Sequence, residues 1–133
     1  MTVDDPGAGA YRAGTVDPAA PGYLGVQVAR TEAGAMVCRL AGDLDLGSLA
    51  PVRAALAGAL ESGPALLVVD LAEVGFCDSS GLNLLLQFRL EAENAGVTMR
   101  LAALTKQVSR VFELTGALDV FQVYPGVEEA EHG

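Results

Sequence analysis

The chain has 133 residues, of which 51% are apolar and 19% are charged, and its formal net charge at pH 7 is −9. This length is typical of a single domain with a hydrophobic core of ordinary size. The acidic balance argues against binding to nucleic acid, whose phosphates need basic surfaces, and against docking on anionic membrane lipids. Charged residues interrupt the longest apolar stretch, so we expect no membrane helix. We expect a cytoplasmic protein, because the first residues are not typical of a secretory signal.

Composition divides the chain into three parts. Residues 1–21 are rich in Gly, Pro and Ala and show no hydrophobic periodicity, which predicts a disordered leader. Residues 22–126 carry the apolar patterns of one folded domain. Residues 127–133 form an acidic C-terminal end, for which we expect the start of a helix.

The first half of the domain predicts a hairpin followed by a helix. Alternating apolar residues predict a strand over Leu24–Ala29, and a second apolar run predicts a strand over Met36–Gly42. The short turn between them is typical of antiparallel pairing. An acidic loop with Asp43 and Asp45 comes next, and Ser48 is the predicted cap of the helix that follows it.

The second half alternates strands and helices. Leu66–Leu71 is apolar on both faces, as parallel strands in the middle of a sheet are. The following elements are predicted to be a helix over Leu82–Asn94, a strand over Val97–Ala102, a helix that Thr105 caps and that runs through Leu114, and a short strand over Leu118–Tyr124.

This order predicts an α/β fold with a mixed, mostly parallel central sheet, βα crossovers and an N-terminal antiparallel edge strand. In such sheets the functional surface lies beyond the carboxyl ends of the strands. The loop with Asp43 and Asp45 and the pair Ser79 and Ser80 both follow strands, so we expect them at one rim of the sheet.

The Asp-Ser-Ser-Gly turn at residues 78–81 stands at a predicted helix start. Ser80 is the better candidate for the cap, with Asn83 three residues later as in a weak capping box. Ser79 is then left at the surface, where a phosphoryl group would meet the positive end of the helix dipole and the carboxylate of Asp78. The alternative is that Ser79 itself only caps the helix.

Three further interpretations concern the surroundings of this turn. Leu84 and Phe88 are predicted to form an exposed apolar contact for a partner, with ordinary packing against a neighbouring helix as the equal alternative. Asp45 either orients the serine hydroxyl, or helps to hold a magnesium–nucleotide of the partner, or is a solvated turn carboxylate. Cys38 and Cys77 are predicted to be buried thiols rather than a disulfide.

Four segments carry a resemblance: Gly42–Asp45 ahead of a helix, the strand end Val68–Leu71, the motif Phe76–Leu82 and the stretch Val108–Gly116. Together they resemble the STAS domain family, and within it the small single-domain anti-sigma factor antagonists. The likeness extends over about residues 22–126.

The resemblance implies partner switching. In such antagonists the first serine after the Asp, here Ser79, is phosphorylated by an anti-sigma factor that is also a serine kinase. The unphosphorylated form binds the anti-sigma factor and releases a sigma factor, and a serine phosphatase reverses the modification. The family's loop aspartate falls on Asp45. The predicted partner-binding surface consists of Asp45, Asp78, Ser80, Asn83, Leu84 and Phe88.

Two other functions stay open. The chain could be a STAS scaffold or a transport-system subunit that this serine does not control. A serine hydrolase is the distant third, because His132 is the one candidate base and no Gly-x-Ser-x-Gly elbow or phosphate-binding loop is present. We therefore expect a protein-binding module without catalysis, cofactor or metal.

Overall fold

A five-stranded sheet with four helices makes up the part of the chain described by the structure, a computed structural model, which covers residues 24–133. The predicted leader, residues 1–21, lies outside the described residues. The strands are β1 (Leu24–Arg30), β2 (Met36–Leu44), β3 (Leu66–Cys77), β4 (Thr98–Ala102) and β5 (Gln122–Tyr124). The helices are α1 (Leu49–Glu61), α2 (Ser79–Asn94), α3 (Lys106–Thr115) and α4 (Val127–His132), with short 3-10 helices at Leu46–Ser48 and Ala117–Asp119.

The strands lie side by side in chain order, β1-β2-β3-β4-β5. β1 is antiparallel to β2, and β2, β3, β4 and β5 are parallel to one another. The predicted fold class is therefore confirmed. Among the described residues, no helix is long and apolar enough to cross a membrane.

Two hydrophobic clusters cover the two faces of the sheet. The larger cluster joins Leu67 and Val69 of β3 to buried residues of α1, α2 and α3, such as Leu56, Leu85 and Phe112. The smaller cluster contains Val68, which lies between Leu67 and Val69 in sequence, together with Ala130 of α4. Since successive side chains of a strand point to opposite faces, α1, α2 and α3 share one face and α4 packs on the other.

β3 is longer than predicted, because the sequence pattern ends the strand at Leu71 and the structure continues it to Cys77. β4 pairs with β3 only as far as Asp70, but β2 accompanies β3 to its end. Beyond β4, side chains of the α3 start bond to the open edge of β3. Thr105 Oγ1 donates to the carbonyl of Val74 at 2.8 Å, and Gln107 Oε1 accepts from the N–H of Cys77 at 3.1 Å.

The elements at the C-terminal side depart slightly from the prediction. The last strand is shorter than Leu118–Tyr124, because a 3-10 helix at Ala117–Asp119 takes up its first part. Thr105 caps α3 as predicted, and Gly116 ends it with a left-handed φ of 79°. The acidic end forms α4, whose Ala130 carbonyl accepts from Arg100 Nη1 of β4 at 2.8 Å.

Candidate functional site

The carboxyl ends of β2 and β3 meet at one rim of the sheet, and we refer to these ends with the loops after them as the rim. The N–H of Asp78 donates to the carbonyl of Leu44 at 3.1 Å. The N–H of Leu46 donates to Asp78 Oδ2 at 3.3 Å. We call residues 78–81, which follow β3, the serine turn. The acidic loop after β2 and the serine turn are therefore bonded to each other, as their place after parallel strands predicts.

Asp78, and not Ser80, caps α2, so the predicted cap is wrong. Asp78 has extended backbone angles, and its Oδ1 accepts from the N–H of Gly81 at 2.9 Å. The helix begins at Ser79, earlier than predicted, which places Asp78 immediately before the first helical residue. Neither Ser80 nor Asn83 makes a side-chain hydrogen bond to another described residue, so the capping-box pair is absent.

Ser79 is the first residue of α2 and is exposed to solvent. Its hydroxyl makes no hydrogen bond to any residue in the range 24–133. Because the side chain of Asp78 already caps the helix by accepting from the N–H of Gly81, the Ser79 hydroxyl is not needed for this role. The side chain is accessible to another protein's active site, and modification would remove no internal bond.

Asp45 and Ser48 build a rigid turn, residues 45–48, which we call the Asp45 turn. Asp45 Oδ1 accepts from the N–H of Gly47 at 3.0 Å, and Ser48 Oγ accepts from the N–H of Asp45 at 3.1 Å. The buried hydroxyl of Ser48 donates to the carbonyl of Asp43 at 2.7 Å. Ser48 stands at the cap position of α1 but makes no side-chain bond to that helix, because its hydroxyl is used in the turn. One oxygen of the Asp45 carboxylate, Oδ1, is likewise used within the turn.

Gly81 fixes the distance between α2 and β2. A Cβ atom at this residue would lie 2.5 Å from the carbonyl oxygen of Leu44 and 2.7 Å from its Cγ. These contacts are too short for any side chain, so the first turn of α2 can approach the end of β2 only with glycine here. The glycine thereby lets the first turn of α2, which begins at Ser79, lie against the end of β2.

Leu84 and Phe88 are buried in the core, so the predicted exposed contact is wrong and the packing alternative is correct. The buried stripe of α2 includes the small residues Gly81 and Ala92, which flank Leu84, Leu85 and Phe88 at helical spacing. A stripe defined by the large apolar side chains alone omits Gly81 and Ala92 and therefore predicts the wrong buried face for α2. The buried thiols of Cys38 and Cys77, in contrast, are confirmed as free cysteines.

The sequence interpretation did not identify two exposed apolar side chains at the rim. Leu46, in the Asp45 turn, is 75% exposed, and Phe76, next to the end of β3, is 42% exposed. The available signal was the position of Leu46 between Asp45 and Gly47, because a large apolar residue is unusual in a polar loop. Both residues lie beside the serine turn, whereas Leu84 and Phe88 do not reach the surface.

The rim is acidic. Asp43 is exposed, and Asp45 and Asp78 are half-buried. Within residues 24–133 the one ion pair joins Arg39 to Asp70, so none of the three rim carboxylates has a cationic partner there. No group of three or more potential ligands in that range is arranged to hold a metal ion. Burial, together with the neighbouring Asp78 charge, raises the pKa of Cys77 to about 11, so this thiol stays protonated at neutral pH.

The sequence model of one protein family, the STAS domain, matches residues 27–130. The chain belongs to the STAS domain family. Among solved structures, this STAS chain is similar to an anti-sigma factor antagonist from Mycobacterium paratuberculosis, with 25% identity and a TM-score of 0.78 over 85% of this chain and 95% of the other. It is also similar to the Bacillus cell fate determinant SpoIIAA in its phosphorylated form, with 26% identity and a TM-score of 0.63 over 80% of this chain and 96% of that one.

The same STAS fold occurs in a second setting. A sulfate transporter family protein from Wolinella succinogenes has 18% identity and a TM-score of 0.62, over 73% of this chain and 81% of its own. This likeness concerns the fold alone.

Proposed function

We propose that this STAS chain is an anti-sigma factor antagonist and that phosphorylation of Ser79 switches its binding off. In this proposal the unphosphorylated form binds an anti-sigma factor with serine kinase activity and releases a sigma factor. A serine phosphatase restores the binding form. The similarity to anti-sigma factor antagonists, with 25% identity to the Mycobacterium paratuberculosis protein and 27% to SpoIIAA in its unphosphorylated form, over most of both chains, supports this class of partner.

The observation that carries the proposal is the exposure of Ser79 at the first position of α2, with a hydroxyl that bonds to no residue in the range 24–133. A phosphoryl group adds a charge of about −1.5 to −2 at pH 7. At Ser79 this charge would stand beside Asp78 and close to the Asp45 turn, which are already acidic. An interface that covers the uncharged hydroxyl would have to bury this charge, and the cost of desolvation would break it.

The surroundings of Ser79 define the surface that the partner would contact. Asp45, Asp78, Ser80 and Asn83 keep their places in this proposed surface, because all four are at least partly accessible. Leu84 and Phe88 do not, since they are buried. In this proposal the chain is cytoplasmic and acts only by binding other proteins. It needs no cofactor or metal of its own.

Intact mass spectrometry tests the modification. We expect a single gain of about 80 Da, the mass of one phosphoryl group, after incubation with ATP and the anti-sigma factor kinases of the same organism, purified one by one. Ser62→Ala is the matched control and should gain the same mass, because Ser62 is an exposed serine at the C-terminal end of α1 and lies outside the proposed contact surface. Ser79→Ala should gain none.

A second function, that of a STAS scaffold or transport-system subunit, is favoured by the shared fold with the sulfate transporter family protein. It predicts no phosphoryl transfer from any of the kinases, and equal partner binding by wild type and Ser79→Asp. The third function, serine hydrolase, lacks a histidine base near Ser79. The single histidine, His132, is in α4, which packs on the opposite face of the sheet from α2.

A further inference from the structure

Leu46 is presented to solvent on a turn that is already ordered. Its side chain is 75% exposed, and its own N–H is held by Asp78 Oδ2 at 3.3 Å. On either side of Leu46, the capping bonds between Asp45, Gly47 and Ser48 fix the backbone. An exposed leucine on a fixed turn can be buried by another protein without a cost of ordering the loop.

Carboxylates flank this leucine. Asp45 precedes it in sequence, and Asp78 accepts its N–H group. Neither carboxylate has a cationic partner within residues 24–133. A partner that covers Leu46 also covers or approaches these charges, which is favourable only if it brings positive charge to the border of the contact.

We infer that Leu46 is the apolar anchor of the partner contact, and that the anti-sigma factor receives it in an apolar pocket bordered by Lys or Arg side chains. This inference rests on the proposed function and specifies the chemistry of its partner. It also explains the place of the switch, because Asp78, which holds Leu46, directly precedes Ser79. A phosphoryl group there would stand at the border of the apolar contact, where water must be excluded.

Leu114 provides a matched control for the apolar contact. It is 77% exposed in the last turn of α3. Since α3 connects the carboxyl end of β4 to the start of the parallel strand β5, Leu114 lies away from the rim. Asp119, exposed in the 3-10 helix that follows, provides the control for charge.

The test is a binding titration between the purified chain and each anti-sigma factor kinase of the organism, without ATP so that Ser79 stays unmodified. We expect Leu46→Ala to weaken binding about tenfold or more, as burial of a leucine side chain implies, and Leu114→Ala to leave it unchanged. Asp45→Asn keeps an oxygen that can cap the turn but removes the charge. It should weaken binding and reduce its dependence on NaCl concentration, while Asp119→Asn should do neither.

The outcomes separate the inference from the proposed function. If wild type binds a kinase and Leu46→Ala binds equally well, the anchor is wrong and the proposed function stands. If Leu46→Ala weakens binding but the binding of Asp45→Asn depends on salt as strongly as that of wild type, the basic border of the pocket is wrong. If wild type binds none of the kinases, the proposed function fails and the anchor fails with it.

Discussion

At the scale of single residues, two helical glycines show how contacts override helix propensity. Both lack a left-handed φ, so alanine would suit the backbone at either position. Gly58, exposed in α1, has no atom within 4 Å of the place where a Cβ would be. Gly81, in α2, touches the backbone and side chain of Leu44 at that place. Alanine substitutions at the two residues therefore measure how much the close approach of α2 and β2 affects the free energy of unfolding.

We expect Gly81→Ala to destabilise the protein by about 1–3 kcal/mol, because the Leu44 carbonyl cannot move without disturbing β2. Gly58→Ala should instead stabilise it by about 0.5–1 kcal/mol, since glycine in a helix costs about that much relative to alanine. Urea unfolding followed by circular dichroism gives both values. Equal effects of the two substitutions would show that the contact with Leu44 contributes nothing.

At the scale of elements, the register of β2 and β3 is marked by one ion pair across the two strands. Arg39 Nε donates to Asp70 Oδ2 at 2.9 Å, and the two residues are direct neighbours in the parallel pairing. The side chain of Asp70 is only 5% exposed and that of Arg39 is 53% exposed. The pair is thus unequal, because the arginine can be hydrated without its partner and the aspartate cannot.

We expect Arg39→Met to lower the free energy of unfolding by about 1–2 kcal/mol, because it leaves a buried carboxylate with only the N–H of Ala72 as donor. Arg53→Met is the control, since Arg53 is exposed and, within the described part of the chain, donates only to Gln87 Oε1, at 3.3 Å. Its effect should stay within about 0.5 kcal/mol. A loss of the same size in both variants, measured by urea unfolding, would refute the role of the buried carboxylate.

The order and direction of the elements could be predicted from the sequence because they depend on hydrophobic periodicity and on the short first turn. The end of β3 could not be predicted, because apolar and polar residues do not alternate regularly over residues 72–77. This part of the strand is held by β2 and by the side chains of Thr105 and Gln107, which are distant in sequence.

The rim was predicted from chain order. The exposure of Ser79 was predicted from a cap by Ser80, and this reason is wrong because Asp78 caps α2. The apolar part of the rim was not predicted. The sequence interpretation placed Leu84 and Phe88 there, but their burial depends on which face of α2 meets the sheet.

At the scale of the whole molecule, the two loops at the rim differ in how they tolerate charge. Ser79 and Ser48 both stand at the beginning of a helix, but Ser79 is exposed and unbonded, and Ser48 is buried with its hydroxyl bonded inside the Asp45 turn. The chain already carries a net charge of −9, so added negative charge is tolerated only where water can solvate it.

We expect Ser79→Asp to change the free energy of unfolding by no more than about 0.5 kcal/mol, as surface substitutions usually do. Ser48→Asp should lower it by at least about 2 kcal/mol, because a carboxylate would be buried against the carbonyl of Asp43. Thermal and urea unfolding of both variants check this difference. A large loss for Ser79→Asp would mean that charge at this position acts by unfolding the domain.

The contact between Gly81 and Leu44 also has a kinetic consequence. It holds the two loops of the rim in one arrangement, so an incoming protein meets a preformed surface and waits for no rearrangement of this chain. The association rate constant should then have the ordinary value for specific protein pairs, about 10⁵–10⁷ M⁻¹ s⁻¹. If Ser79 is phosphorylated as proposed, the two forms of the chain should differ chiefly in the lifetime of the complex with the partner.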